Sequence, residues 1–240
     1  MSRDLLELLW RNSDAAEPPR RGPRSRHSTD DVVASAMALA DASGLEAVTM
    51  RAIARSIDMP TMSTYTYANN RDDLLVLMAD EANAELVAAP ELAGEWRSRV
   101  RTLAEDNLRM LRRHSWMLDI DDPRTVLGPG TIAKYDRELH AFDGMDLDPV
   151  RRDAALTFVL GFVRSVASRA AEHRRSAEFG EGWTHIADRL ASRLGRAYPL
   201  AQEVGGAAGA AANSSYDGDA AWRFGLDRVI DGLAAVSRPA

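Results

Sequence analysis

From Thr29 onward, apolar side chains recur every three or four residues, the period of helices that bury one face. Thr29 opens the first of these, with Asp30 and Asp31 in its first turn, where the helix dipole favours carboxylates. Val32, Val33, Ala36, Met37, Leu39 and Ala40 form its buried stripe and Gly44 ends it. A second helix spans 49–57: Thr49 can cap it, and Ile53, Ala54 and Ile57 share a face. Asp58-Met59-Pro60-Thr61 is a tight turn in which Asp58 takes the left-handed position. A third short helix opens near Pro60 and carries Met62 to Tyr67. Arg71 then starts a helix that must stop before Pro90.

Beyond Gly94 the helical period continues. Trp96, Val100, Leu103, Met110 and Leu111 mark one buried face, and Asn107 and His114 fall on the same stripe. Asp122-Pro123 reads as a helix cap, and a Gly128-Pro129-Gly130 break precedes a helix with Ile132, Tyr135, Leu139 and Phe142. Asp148-Pro149 starts the longest apolar helix, apolar on two faces: Leu156, Val159, Leu160, Val163 and Ala167 on one, Ala154, Phe158, Gly161, Phe162 and Ser165 on the other. Another helix covers 183–198, a Gly/Ala/Ser stretch at about 201–218 is expected to be a mobile loop, and a last helix runs over 219–236 with Leu226, Val229, Ile230 and Leu233 as its stripe. The expected class is all-α.

Ahead of this lies an amphipathic stretch at 3–11, too short to be a stable helix alone, which docks on the body or on a partner subunit. Residues 12–27 form a Pro- and Arg-rich linker, in which Arg20, Arg21, Arg24 and Arg26 make a basic arm, either a solvated tail or a segment that follows a minor groove. The division is 1–27 for helix and arm, 28–75 for a compact helical head, and 76–240 for a larger helical part.

Composition narrows the chemistry. The 240 residues are 45% apolar and 28% charged, an ordinary globular balance. Cysteine is absent, which removes disulfides, thiolate metal sites and Cys nucleophiles. The five histidines have no ligand spacing, and no phosphate loop, nucleophile elbow or zinc-helix motif is present, so no catalytic residue, metal site or cofactor is assigned. No apolar run approaches the ~20 residues that span a bilayer, so a cytoplasmic protein without membrane contact is expected. At net charge −6, any DNA footprint must be local.

That footprint is expected on the third helix. Its exposed side carries hydroxyls and two tyrosines, groups that donate to phosphates and read base edges. Thr49, Arg51, Thr61, Met62, Ser63, Tyr65, Thr66 and Tyr67 are placed at the DNA, Arg71 as a phosphate clamp, and Arg24 as the arm's contact. Farther on, Asn107 and His114 could be core polar groups satisfied internally. Alternatively they line a ligand pocket with Met110, Trp116, Tyr135, Phe158 and Phe162.

The run from Ala42 to Leu75, ASGLEAVTMRAIARSIDMPTMSTYTYANNRDDLL, resembles the N-terminal DNA-binding domain of the tetracycline-repressor family. The likeness covers about Thr29 to Leu75. It departs at Asp58, where glycine is usual, at Thr64, where leucine is usual, and at Ala68-Asn69, where a bulky apolar residue and proline are usual. The lost apolar bulk implies a recognition helix seated less tightly. Gly94-Glu95-Trp96-Arg97, His114-Ser115-Trp116, Leu127-Gly128-Pro129, Leu147-Asp148-Pro149, Gly161-Phe162 and the stretch from Trp222 to Leu233 resemble the family's C-terminal domain.

The resemblance implies a three-helix helix-turn-helix head on a larger helical domain. It implies a homodimer through helices at about 149–173 and 219–236, and a repressor released from a palindromic operator by a small hydrophobic or aromatic effector. The alternatives are a DNA-binding regulator answering to a protein partner, and a helical enzyme or carrier.

Overall fold

The structure, a computed structural model, describes residues 4–13, 26–175, 183–195, 197–212 and 218–236. Among these there are eleven α-helices and no strand. The chain divides into two compact units, Met1–Thr157 and Phe158–Ala240.

The first unit holds α1 (Leu5–Leu9), α2 (Thr29–Ser43), α3 (Met50–Ser56), α4 (Thr61–Thr64), α5 (Arg71–Val87), α6 (Trp96–Arg113), α7 (Pro129–Leu139) and the first turns of α8 (Pro149–Arg175). Its ends are set by side chains. The Ser28 hydroxyl accepts from the Asp31 N–H while the Asp31 carboxylate accepts from the Ser28 N–H, a reciprocal cap at the start of α2. The Ser28 backbone N–H, then its hydroxyl, holds the Asp31 carboxyl below the usual carboxylate range. Thr49 caps α3 through the Ala52 N–H, and Asn70 caps α5 through the Asp73 N–H. Asp58 turns the chain between α3 and α4 at φ 53°, the left-handed conformation expected of it.

One apolar core joins α1, α2, α3 and α5 with Trp116. Leu8 and Leu9 of the short α1 are buried in it, so the amphipathic start of the chain docks on its own body. Trp10 donates through its indole Nε1 to the Leu127 carbonyl, and Arg11 reaches Asp30 on α2.

α5 packs most extensively on α7. Gly128 and Gly130 are there because nothing larger fits: a Cβ on Gly128 would lie 2.0 Å from Asp80 Oδ1, and one on Gly130 2.3 Å from the Asp80 carbonyl. The close approach lets the buried Asp80 carboxylate accept from the Thr131 N–H at 2.7 Å, in the first turn of α7. Asn83 adds a bond to the Thr131 hydroxyl. The same approach corrects the expected inner face of α7. Ile132 and Tyr135 point outward, and Lys134 and Glu138 point inward as an ion pair at 2.8 Å. Gly130 shares their side of the helix, four and eight residues earlier, so contact with α5 turns that side in.

The second unit holds the remainder of α8, α9 (Trp183–Leu194), α10 (Pro199–Ala212) and α11 (Gly218–Val236). The mobile loop expected at 201–218 is corrected, because residues to Ala212 are helical. Pro199 at the first helical position and the run of alanines outweigh the glycines. The rest of that expectation, 213–217, lies outside the described residues. Phe162 on α8 stacks on Trp222 of α11 with centroids 5.5 Å apart, and Gly225 leaves room for the ring, since a Cβ there would come within 2.4 Å of it.

Along α8, Ala154, Phe158, Gly161 and Ser165 are exposed at i, i+4, i+7 and i+11. α8 is the one described helix long and apolar enough to cross a membrane, but its core-facing residues Leu156, Val159, Val163 and Ala167 are buried in protein.

Candidate nucleic-acid interface and effector residues

α3 and α4 form a helical hairpin whose inner side is anchored and whose outer side is polar. Inward, Met50, Ile53 and Ala54 of α3 are buried, and Ser56 meets Ser35 of α2 at 2.5 Å between hydroxyls. α4 is shorter than expected: the α-helix ends at Thr64 and tight turns carry the chain to Tyr67 and Ala68. Thr64 is fully buried, its hydroxyl donating to the Thr61 carbonyl, and Ala68 is buried too. The two departures from the family pattern therefore still seat the helix. A threonine methyl and a small alanine fill the space, and the hydroxyl is satisfied locally.

Outward, Met62 is 77% and Tyr65 46% exposed, and Thr61 and Thr66 are exposed beside them. Ser63 and Tyr67 are half-buried on the flanks, and Arg51 is exposed on α3. Thr49 is an exposed helix cap, with its hydroxyl oxygen already accepting the Ala52 N–H. Arg26, at the end of the basic arm, lies 3.7 Å from Asp58 with both groups in solvent, a pair worth little by itself. Arg24 lies outside the described residues.

Arg71 is a correction. Its guanidinium donates from Nε to the Val48 carbonyl at 3.0 Å and from Nη2 to the Leu45 carbonyl at 2.8 Å. It ties the start of α5 to the segment before α3, where the Leu45 carbonyl also accepts the Val48 N–H at 3.1 Å. Its forked donors point inward and it does not act as the expected phosphate clamp.

The expected effector residues resolve into several environments. Asn107 is buried, donating to the Leu103 carbonyl at 2.9 Å and to Glu138 Oε1 at 2.5 Å. Beside it Asp106 takes Arg109 and Arg137. Met110 is an apolar core residue of α6.

His114, only 1% exposed, is turned elsewhere: its Nδ1 is 2.8 Å from Asp41 Oδ1 and its Nε2 3.3 Å from Glu85 Oε2. The ring donates to both carboxylates when it carries its second proton. The Trp116 indole donates to the same Asp41 oxygen at 2.6 Å. Asn107 and His114 are thus satisfied polar groups with separate partners. Tyr135 is exposed and donates to Asp153, and that bond raises its phenol pKa. In the second unit, Phe162 is engaged with Trp222, and Phe158, 55% exposed, lies on the outer stripe of α8. Pattern reading missed Asp41, Glu85, Asp106 and Glu138. Asp106 and Glu138 are buried, and each of the four has a partner distant in the chain: Arg137 for Asp106, Asn107 for Glu138, and His114 for Asp41 and Glu85.

Comparison with known proteins bears on both halves. Residues 89–237 match the family model of the tetracyclin repressor-like C-terminal domain. The HTH-type transcriptional repressor DrrR1 of Streptomyces coeruleorubidus is 31% identical over 237 residues, covering 95% of this chain and 84% of that protein. Among solved structures, apo ActR of Streptomyces coelicolor superposes with a TM-score of 0.69 at 25% identity, covering 88% of this chain and 97% of that one. ActR in complex with actinorhodin superposes with a TM-score of 0.70 at 24% identity, covering 90% and 100%.

Proposed function

The chain belongs to the tetracycline-repressor family of helix-turn-helix transcriptional regulators, and from that premise we propose that it is a cytoplasmic repressor released from a palindromic operator by a small hydrophobic or aromatic effector. The observation that carries the DNA-binding part is the outer face of the α3–α4 hairpin. It is polar, free of acidic groups along α4, and held from behind by Thr64, Ala68 and the α3 core. The head corresponds to residues 28–75. Arg51, Thr61, Met62, Ser63, Tyr65, Thr66 and Tyr67 enter the major groove, while Thr49 holds the start of α3 and Arg24, on the arm, follows the minor groove.

A homodimer through α8 and α11 places two hairpins in successive major grooves, about 34–36 Å apart. The exposed stripe of Ala154, Phe158, Gly161 and Ser165 supports that interface, since small residues allow the partner helix to approach closely. The exposed mid-helix Arg164 argues against lipid on this helix. The remaining helices, 76–240, take the effector. A related fold crystallised with actinorhodin supports a polycyclic aromatic ligand.

A second reading, control by a protein partner, draws on the internal satisfaction of Asn107, His114 and Trp116, which leaves their polar groups occupied.

The test is a DNase footprint on the protein's own upstream region at physiological salt. A protected pseudo-palindrome is expected, and Tyr65→Ala or Arg51→Ala weakens binding to it by about 1–3 kcal/mol without altering the dimer. Wild-type affinity in the folded double variant overturns the interface. Release of the footprint by aromatic compounds, against release only by a cell protein, separates the two modes of control.

A further inference from the structure

Asp41 is a carboxylate in the last turn of α2, where the helix dipole disfavours negative charge. Nothing in α2 itself compensates it, since that turn holds no basic residue. Its partners come from a segment more than seventy residues away: Trp116 Nε1 at 2.6 Å and His114 Nδ1 at 2.8 Å, both on the one oxygen Oδ1. His114 and Trp116 are almost wholly buried and pack edge-on, with ring centroids 5.5 Å apart. Behind them Glu85 on α5 receives His114 Nε2 and Arg113. One small network thus ties the end of α2 to α5 and to the end of α6.

α2 supports the hairpin that presents Tyr65, through the Ser35–Ser56 contact with α3 and the shared apolar core. α6 ends where the network begins: the His114 N–H closes on the Met110 carbonyl. We propose that Asp41 is a positioning residue for DNA binding, a latch through which the C-terminal end of α6 fixes the orientation of α2 and hence of the hairpin. A directional acceptor with two donors holds an angle, which apolar contact alone does not. Displacement of α6 strains both bonds at once. The inference rests on the DNA-binding reading above.

The test uses the full-length protein and a duplex that the wild type selects from a random-sequence library. Affinity for that duplex and for a scrambled one is measured for Asp41→Ala, Trp116→Phe and the double variant, beside dimer state and helix content. Alanine at 41 improves the intrinsic propensity of α2 but takes the acceptor from two buried rings, so helix content and dimer state are what separate a loss of binding there from unfolding. Trp116→Phe keeps a buried ring and removes only the donor.

Each single variant is expected to bind the selected duplex about tenfold more weakly, within the usual range of coupling between sites, with the scrambled duplex unaffected. The double variant is expected to bind no worse than Asp41→Ala, because Asp41→Ala already removes the bond that Trp116→Phe removes. Full discrimination in both single variants, losses that multiply in the double, or equal weakening on both duplexes overturns the latch. A wild type that selects no sequence instead removes the DNA-binding reading, and the latch falls with it.

Discussion

Arg71 ties the start of α5 to the chain before it, donating to the carbonyls of Val48 and Leu45 just ahead of the helix that carries Arg51. Arg71→Ala removes the donor to the Val48 carbonyl and the second donor to the Leu45 carbonyl, which keeps the Val48 N–H, and is expected to lower stability by about 1–3 kcal/mol in denaturant unfolding. A phosphate contact would also reduce the salt dependence of operator binding by about one unit of slope. The inward orientation of Arg71 predicts that the slope stays as in the wild type. Sequence could place Arg71 at the start of α5, but not the direction of its side chain, which depends on a loop more than twenty residues earlier. The same holds for Asn107 and His114. Their positions on a buried stripe were legible, and the carboxylates that satisfy them, Glu138, Asp41 and Glu85, come from other helices.

Among the elements, α2 and α3 were legible almost to the residue, because their ends are written locally in Ser28, Gly44, Thr49 and Asp58. The inner face of α7 was not, since it is set by how closely α5 can come. Gly128 and Gly130 read as a break in the sequence and serve in the fold as the floor under Asp80. Gly130→Ala drives a methyl into the Asp80 carbonyl, a backbone atom that cannot swing aside. It is expected to lower stability by about 1–3 kcal/mol, as overpacking does, read as a lower midpoint of thermal unfolding. Gly206→Ala in α10, where nothing lies within 4 Å, serves as the control and is expected to be neutral or slightly stabilising.

For the molecule as a whole, the family follows from two independent halves: the hairpin motif near the N-terminus and the match over residues 89–237. The proposed dimer is tested at Phe158, which is exposed on the outer stripe of α8. Phe158→Arg puts a charge on that stripe and leaves the buried side of the helix untouched. The variant is expected to sediment as a folded monomer at micromolar concentration and to lose operator binding, because one hairpin alone reads half a palindrome. A dimer that persists in this variant moves the interface off α8. The two apolar faces of α8 were visible in the sequence. Which of them meets the rest of the chain was decided only by tertiary packing.

Because Leu8 and Leu9 fill the core shared by α2, α3 and α5, the natural unit for exchange between relatives is larger than the hairpin motif. A chimaera that transplants residues 28–75 alone would arrive with a hollow where Leu8 and Leu9 belong. Grafts intended to re-route this regulator to another promoter should carry the chain from its first helix through the end of α5.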